Sequence, residues 1–335
     1  MYATTKNLVK VDQDKVREAV LGRFSPVDGV GVDIKNASTY EEALKLSGLG
    51  FTPLEEKLVT ESTGRVITGY KALFNSITQR QLSVVKNEYT VISNEEAFST
   101  AEDLVAYEGF KYEVSNMKRD GARSRLILSG PNVYIAGEEY TPYAIFNNSF
   151  DTTKSVCIQF MFLRLACLNG LMRKAPSCNS TLALSHFGQK EAKLKRLTEF
   201  RNTFAITLNY LQREAAVLQS IPLSREEFRN ELAPLAASHV LQRKPNTPLT
   251  EQQQAKNEAY IMAAMKAYDA IDTTNFDGTA FKAQLAFADV DSHLTPFMNR
   301  GRPDIYLDRI LQSDTVLSAA NVITNYIIES RNVRI

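Results

Sequence analysis

One arginine and one asparagine, Arg164 and Asn169, stand within a mainly apolar stretch that runs from Ser155 to Arg173. Burying an unpaired charge is costly, so an arginine in such a stretch needs a partner. Its planar guanidinium can bind a phosphate or a carboxylate, which predicts a binding site. The alternative is a structural arginine that pairs with a carboxylate of another element or extends to the surface. His186 has two similar interpretations, a ligand contact or a helix cap.

Seven basic side chains form two clusters that could bind phosphate. Lys190, Lys193 and Arg196 recur at intervals of three and so share one face of a predicted helix. The second cluster belongs to a predicted hairpin and consists of Lys118, Arg119, Arg123 and Arg125. If hairpin and helix lie on the same side, they form a basic groove that follows a phosphate backbone. The alternative is that the helical charges are simply a solvated face.

Tyrosines near the predicted hairpin and strands supply aromatic rings that could stack on bases. The candidates are Tyr112, Tyr134, Tyr140 and Tyr143. The alternative is that these rings pack within the sheet.

Charge is balanced overall but unevenly distributed. The 335 residues include 39 Lys and Arg against 38 Asp and Glu, a net charge of +1, which excludes a protein that coats nucleic acid with its entire surface. Residues 164–213 carry nine basic side chains and two acidic ones, whereas residues 251–291 carry seven acidic side chains and three lysines. This distribution predicts a bipolar surface, which either steers a polyanion to one face or pairs copies of the chain head to tail.

Motifs for metals, nucleotides and nucleophilic catalysis are absent from the sequence. His186, His239 and His293 are far apart, and no Cys-x-x-Cys or His-x-x-x-His spacing occurs. There is no Walker A sequence, no Gly-x-Gly-x-x-Gly and no Gly-x-Ser-x-Gly. We therefore predict no catalytic residue, no metal and no cofactor, and the sequence favours a protein without enzymatic activity.

The cysteines and the apolar segments predict a location. Cys157, Cys167 and Cys178 are an odd number in a long chain and indicate reduced, buried thiols. Residues 1–10 lack the pattern of a secretory signal, and no apolar window reaches the roughly 18 to 20 uncharged residues of a membrane span. We expect a cytoplasmic protein with no membrane partner.

Strand signals dominate the first half of the chain. The predicted strands are residues 66–74, 82–92, 111–118, 123–130, 132–136, 141–147 and 156–163. Asp120-Gly121 is a strong hairpin signal between two of them. Capping boxes that begin at Ser38 and Ser93 predict helices over 39–47 and 94–107.

After about residue 164 the periodicity becomes helical. An amphipathic stripe predicts one long helix over 190–219. Ser224 and Thr250 begin further capping boxes, each followed by a helix, and more helices are predicted over 281–289 and 307–328.

These elements predict an α+β architecture. A mainly antiparallel sheet, over about 60–163, packs against long helices from the C-terminal half. Residues 1–35 form an N-terminal arm, and residues 36–330 form a single domain that is sheet-rich over 36–163 and helical over 164–330.

Five segments, in this order, resemble a family found in phages and plasmids, domain of unknown function 932. They are residues 38–49, 82–98, 143–151, 162–169 and 184–187. The resemblance spans 38–190, with a weaker similarity over 281–293. In that family an Arg-x-x-Cys-x-Asn segment follows a Ser-His-Asp-Gly-like turn. Arg164, Cys167 and Asn169 match that segment, whereas the turn here reads Asn148-Ser-Phe-Asp151 and lacks the histidine.

The resemblance implies a gene of a mobile element, and hence the cytoplasm of its host cell. Together with the basic clusters, it predicts an accessory factor that binds single-stranded DNA during replication, recombination or protection of that element. The alternative is an interaction protein, such as a counter-defence factor or a homo-oligomeric scaffold. A third hypothesis is an enzyme acting on nucleic acid or nucleotide, with a site at Arg164, Asn169 and His186.

Overall fold

The computed structural model describes residues 31–164, 170–171, 174–175, 178–240, 249–271, 276–293 and 318–335. The strands are β1 (Val32–Asp33), β2 (Pro53–Val59), β3 (Val66–Asn75), β4 (Gln81–Lys86), β5 (Lys111–Lys118), β6 (Arg123–Ser129), β7 (Val133–Ile135), β8 (Glu138–Ser149), β9 (Val156–Arg164), β10 (Gly170–Leu171), β11 (Lys174–Ala175), β12 (Cys178–Asn179) and β13 (Thr181–Leu184). The helices are α1 (Tyr40–Ser47), α2 (Asn94–Phe98), α3 (Thr100–Glu108), α4 (Lys190–Arg201), α5 (Thr203–Ser220), α6 (Arg225–Glu227), α7 (Ala233–Val240), α8 (Glu251–Ala270), α9 (Ala280–His293) and α10 (Ser318–Ser330).

An eight-stranded antiparallel sheet forms the centre of the molecule. Its order is β1-β5-β6-β8-β9, with β10 and β13 paired to the far side of β9 and β7 paired to β8. A separate antiparallel sheet, β2-β3-β4, packs beside it over a small core that includes Phe51, Leu73 and Phe150. The fold is therefore α+β, as predicted.

Side-chain alternation divides the large sheet into two faces. In β9, Ile158, Phe160 and Phe162 belong to the main core, and the helices of the C-terminal half pack on that face. Phe204 of α5 contacts the rings of Phe160 and Phe162 at centroid distances of 5.4 and 5.9 Å. One core thus joins the sheet and the helices. We call this the helix face, and the opposite side the outer face.

Several predicted boundaries differ from the structure for local reasons. The first cap is Thr39 rather than Ser38, because the Thr39 hydroxyl accepts from the Glu42 amide while Glu42 accepts from the amide of Ser38. The predicted helix over 190–219 is divided at Asn202, and the Thr203 hydroxyl donates to the Phe200 carbonyl at the junction. The predicted helix over 94–107 is likewise divided at Ser99.

The strands also extend further than predicted. Strands continue to Leu184, inside the segment predicted to be helical from residue 164. The reason is that β10 and β13 pair with the backbone amides and carbonyls on the edge of β9 opposite β8. β2 was not predicted, because its Leu-Glu-Glu-Lys sequence lacks strand alternation. Val32–Asp33 pairs with β5, so the last residues of the predicted arm belong to the sheet. Residues 1–30 lie outside the described residues.

No helix in the described part of the chain is both long enough and apolar enough to cross a membrane.

Candidate nucleic-acid interface

The predicted hairpin forms and carries its basic residues onto one face of the sheet. β5 and β6 pair with Lys118 opposite Arg123 and Asn116 opposite Arg125. The connecting turn needs left-handed backbone at Arg119, Asp120 and Gly121, with φ values of 54°, 55° and 104°. Since Leu126 and Leu128 of β6 point into the main core, the alternate residues Arg123 and Arg125 lie on the outer face.

A polar pocket of about 270 Å³ lies on the outer face. Its floor is a row of side chains that face one another across four strands, in the order Arg125, Asn147, Cys157 and Ala183. Four cations line the pocket, namely Lys118, Arg123, Arg125 and Lys154. Among the described residues that line it there is no carboxylate, and amides of Asn116, Asn147 and Gln159 supply neutral donors and acceptors. The lining therefore suits an anion.

Two side chains, the neutral Asn147 and the acidic Asp151, orient the arginines of the pocket. The Arg125 Nε donates to the Asn147 Oδ1 at 2.8 Å, a bond that positions the guanidinium without cancelling its charge. The Asp151 carboxylate accepts from the Arg123 Nε at 2.9 Å and from an Arg119 Nη at 3.1 Å. Burial raises the pKa of Asp151, but hydrogen bonds from Thr153 and Arg123 outweigh it and hold the pKa below its usual value. Asp151 is thus ionised and fixes both arginines.

The predicted helical cluster lies elsewhere. Lys190 forms an ion pair with Glu96, with Nζ and Oε1 2.7 Å apart, and Lys193 is buried and donates to the Gly188 carbonyl at 3.3 Å. Arg196 is exposed on the same helix, α4. Phe200 of α4 stacks on Phe160, which points to the helix face.

Neighbouring residues of a strand point to opposite faces. Gln159 lines the pocket, and the next residue, Phe160, packs beneath α4. The hairpin cluster and the helical cluster therefore lie on opposite sides of the sheet. The structure therefore brings Lys118, Arg123 and Arg125 together, with Arg119 beside them. It does not join them with Lys190, Lys193 and Arg196 in one groove.

Most of the candidate tyrosines are not accessible for stacking. Tyr112, Tyr140 and Tyr143 are buried, whereas Tyr134 on β7 is 62% exposed. Burial of the first three matches the alternative interpretation, in which they pack within the sheet.

Arg164 has the partner that a buried arginine requires. It is 4% exposed, and its Nε and Nη2 donate to the Glu138 Oε2 at 3.1 and 2.8 Å.

Arg164 lies on the helix face at one end of β9, while His186 lies beyond the other end, where Val156 pairs with Leu184. The strand between is about 26 Å long, at about 3.3 Å per residue. Arg164 and His186 are thus too far apart to share one site, and Asn169 lies outside the described residues.

His186 is a buried, neutral histidine. It is 3% exposed and stacks on Tyr89, with ring centroids 4.6 Å apart. Its Nδ1 lies 3.2 Å from the Thr90 carbonyl, and its Nε2 has no hydrogen-bond partner within the described ranges. Burial lowers its pKa to about 4, which the charge of Lys193 reinforces and the Thr90 bond opposes. Neutrality lets its Nδ1 donate to Thr90 without a buried charge.

Sequence reasoning missed Lys154 and the amide side chains of the pocket. A period of two along β6, β8 and β9 would have placed Arg125, Asn147 and Gln159 on outward positions. Their proximity also depends on strand order and register, which no local pattern encodes. Within the described residues, no three His, Cys, Asp or Glu side chains are grouped to hold a metal ion.

Comparison with known proteins agrees with the resemblance seen in the sequence. The family model described as "Domain of unknown function (DUF932)" matches residues 81–334. The match includes four of the five similar segments and continues through the helical half, while residues 38–49 precede it. No curated protein and no solved structure matches the chain. Since the family model covers most of the sequence, the chain belongs to the DUF932 family.

Proposed function

We propose that the protein binds single-stranded DNA at the outer-face pocket. The observation that supports this is the lining itself, in which four cations and several amides surround about 270 Å³ without a carboxylate among the described lining residues. Phosphate is the anion that such a set suits, because guanidinium and amide groups donate to its oxygens while lysines supply charge. Following the family resemblance, we place this binding in the cytoplasm of a host cell and in the upkeep of a mobile element.

The shape of the site favours a single strand over a duplex. Proteins read duplex DNA by inserting a protruding helix or β-ribbon into a groove. Here the cations line a recess in the face of a sheet. A flexible strand can place one phosphate and its sugar into such a recess, which a rigid duplex cannot do.

Charge reversal at the rim of the pocket tests the proposal. Lys154→Glu is expected to weaken binding of a labelled oligothymidylate about tenfold and to lower the salt dependence of binding, because a phosphate contact is lost. Lys154 is exposed, so the fold should tolerate the change. Arg196→Glu is the matched control, since it reverses one exposed charge on α4 across the sheet. Fluorescence anisotropy at several salt concentrations measures both variants.

Four results would contradict the proposal. Binding that is absent at low salt, or that does not weaken as salt rises, would exclude a phosphate contact. Equal loss in the two variants would exclude the pocket as the specific site. Light scattering of the same samples tests the alternative: a salt-sensitive oligomer of a protein whose anisotropy shows no DNA binding would favour the interaction protein instead.

A further inference from the structure

The outer edge of β2 is an exposed strand edge. β2 pairs with β3 on one side, and within the described residues no strand pairs with its other side. Of its seven residues only Pro53 is buried. Exposed strand edges carry backbone donors and acceptors that can pair with a further strand.

The pairing with β3 shows which backbone groups point outward. The Ser76 amide donates to the Thr52 carbonyl. The Asn75 amide points away from β2 and donates to the carbonyl of Arg80, which directly precedes β4. Backbone direction alternates along a strand, so Leu54 and Glu56 face β3. The amide and carbonyl groups of Glu55 and Lys57 therefore face the open edge.

Charge at this edge is unbalanced within one chain. Lys57 lies directly opposite Lys71 in the β2–β3 register, and like charges in that position repel. Glu55 forms an ion pair with Lys71, with Nζ and Oε2 2.8 Å apart. A second carboxylate opposite Lys57 would therefore relieve the repulsion between the two lysines.

We propose that β2 pairs antiparallel with β2 of a second copy, about a twofold axis at Glu56. In this register Glu55 of each copy lies opposite Lys57 of the other, and these are the two residues whose backbone groups face outward. Leu54 lies opposite Leu58 of the second copy. Two Glu–Lys pairs and two Leu–Leu pairs outweigh the single central contact between the Glu56 side chains.

The apolar surface of the small sheet fits the same arrangement. Leu54, Tyr70 and Val84 are exposed, and Phe74, which pairs with Leu54, is only partly buried. Twofold pairing joins the two three-stranded sheets into one of six strands. On this surface Leu54 of each copy lies beside Leu58 of the other, with the two Glu56 side chains between these pairs. The contact is small, so the dimer is weak and depends on concentration.

Light scattering across the micromolar range tests the pairing with the full chain. The wild type is expected to pass from monomer to dimer as concentration rises. Lys57→Glu should weaken the dimer at least tenfold, because Glu55 then faces a carboxylate of the second copy at two positions. The variant should remain folded, since the new carboxylate faces Lys71. An unchanged or higher melting temperature would show that its stability is retained.

Three further variants complete the test. Lys57→Pro removes an outward amide and should also give a monomer, whereas Lys86→Glu, the same charge change on β4, should leave the dimer intact. The exchange Glu55→Lys with Lys57→Glu restores both pairs and should restore the dimer. A wild type that stays monomeric, a dimer that survives Lys57→Glu and Lys57→Pro, an exchange variant that stays monomeric, or a dimer lost with Lys86→Glu would each overturn the proposal.

Discussion

Phe204→Ala is expected to lower the free energy of unfolding by about 3–5 kcal/mol, the usual cost of truncating a fully packed phenylalanine. Phe204 is 5% exposed and contacts the rings of Phe110, Phe160 and Phe162 at 5.1 to 5.9 Å between centroids. It joins α5 to the large sheet. Removing the ring therefore leaves a cavity where the two halves of the fold meet.

Urea unfolding followed by circular dichroism measures this change. Ile206→Ala is the matched control, because Ile206 lies on the same helix but is 59% exposed, and it should change stability by less than about 0.5 kcal/mol. Similar losses in the two variants would show that the shared core at Phe204 does not hold the helix to the sheet.

Acidification from pH 7 to pH 4 is expected to remove about 3 kcal/mol of stability through His186. Its pKa is about 4 in the folded protein, against 6.5 for an unperturbed histidine. Between these values the unfolded chain binds a proton that the folded chain does not. Stability contributed by the neutral ring is therefore full above pH 6.5 and falls as pH decreases toward 4.

His186→Phe tests this by keeping a ring against Tyr89 while removing the titrating group. Over the same pH range, the decrease in its unfolding free energy should be about 3 kcal/mol smaller than the decrease in the wild type. His239→Phe is the matched control for replacing a histidine by phenylalanine, because His239 is exposed on α7. Parallel profiles for wild type and His186→Phe would show that His186 is not buried as a neutral ring.

Local sequence signals predicted much of the secondary structure. The capping boxes at Ser93 and Thr250 form with both reciprocal bonds, and the Asp120-Gly121 hairpin has the predicted strands on either side. These features depend on interactions between residues a few positions apart, which is why the sequence predicts them.

Features that depend on pairing between distant segments were predicted less well. The partner of Arg164 lies 26 positions earlier, on Glu138, and no local pattern identifies that carboxylate. The basic hairpin and the basic helix each form, yet only the register of β9 shows that they lie on opposite faces. Lys154 joins the pocket because the loop before β9 returns beside the hairpin.

The sequence by itself determined the α+β class and the clustering of basic residues along the chain, because periodicity, capping and composition are properties of short segments. It also indicated the family, through its five similar segments. Only the tertiary structure decided which charges share a surface, which are satisfied by carboxylates, and where a strand edge stays open. Those outcomes follow from strand order and register, which the packing of the whole core selects. Arg164 is accordingly held by Glu138 within the fold, and the outer-face pocket is where we propose that a ligand binds.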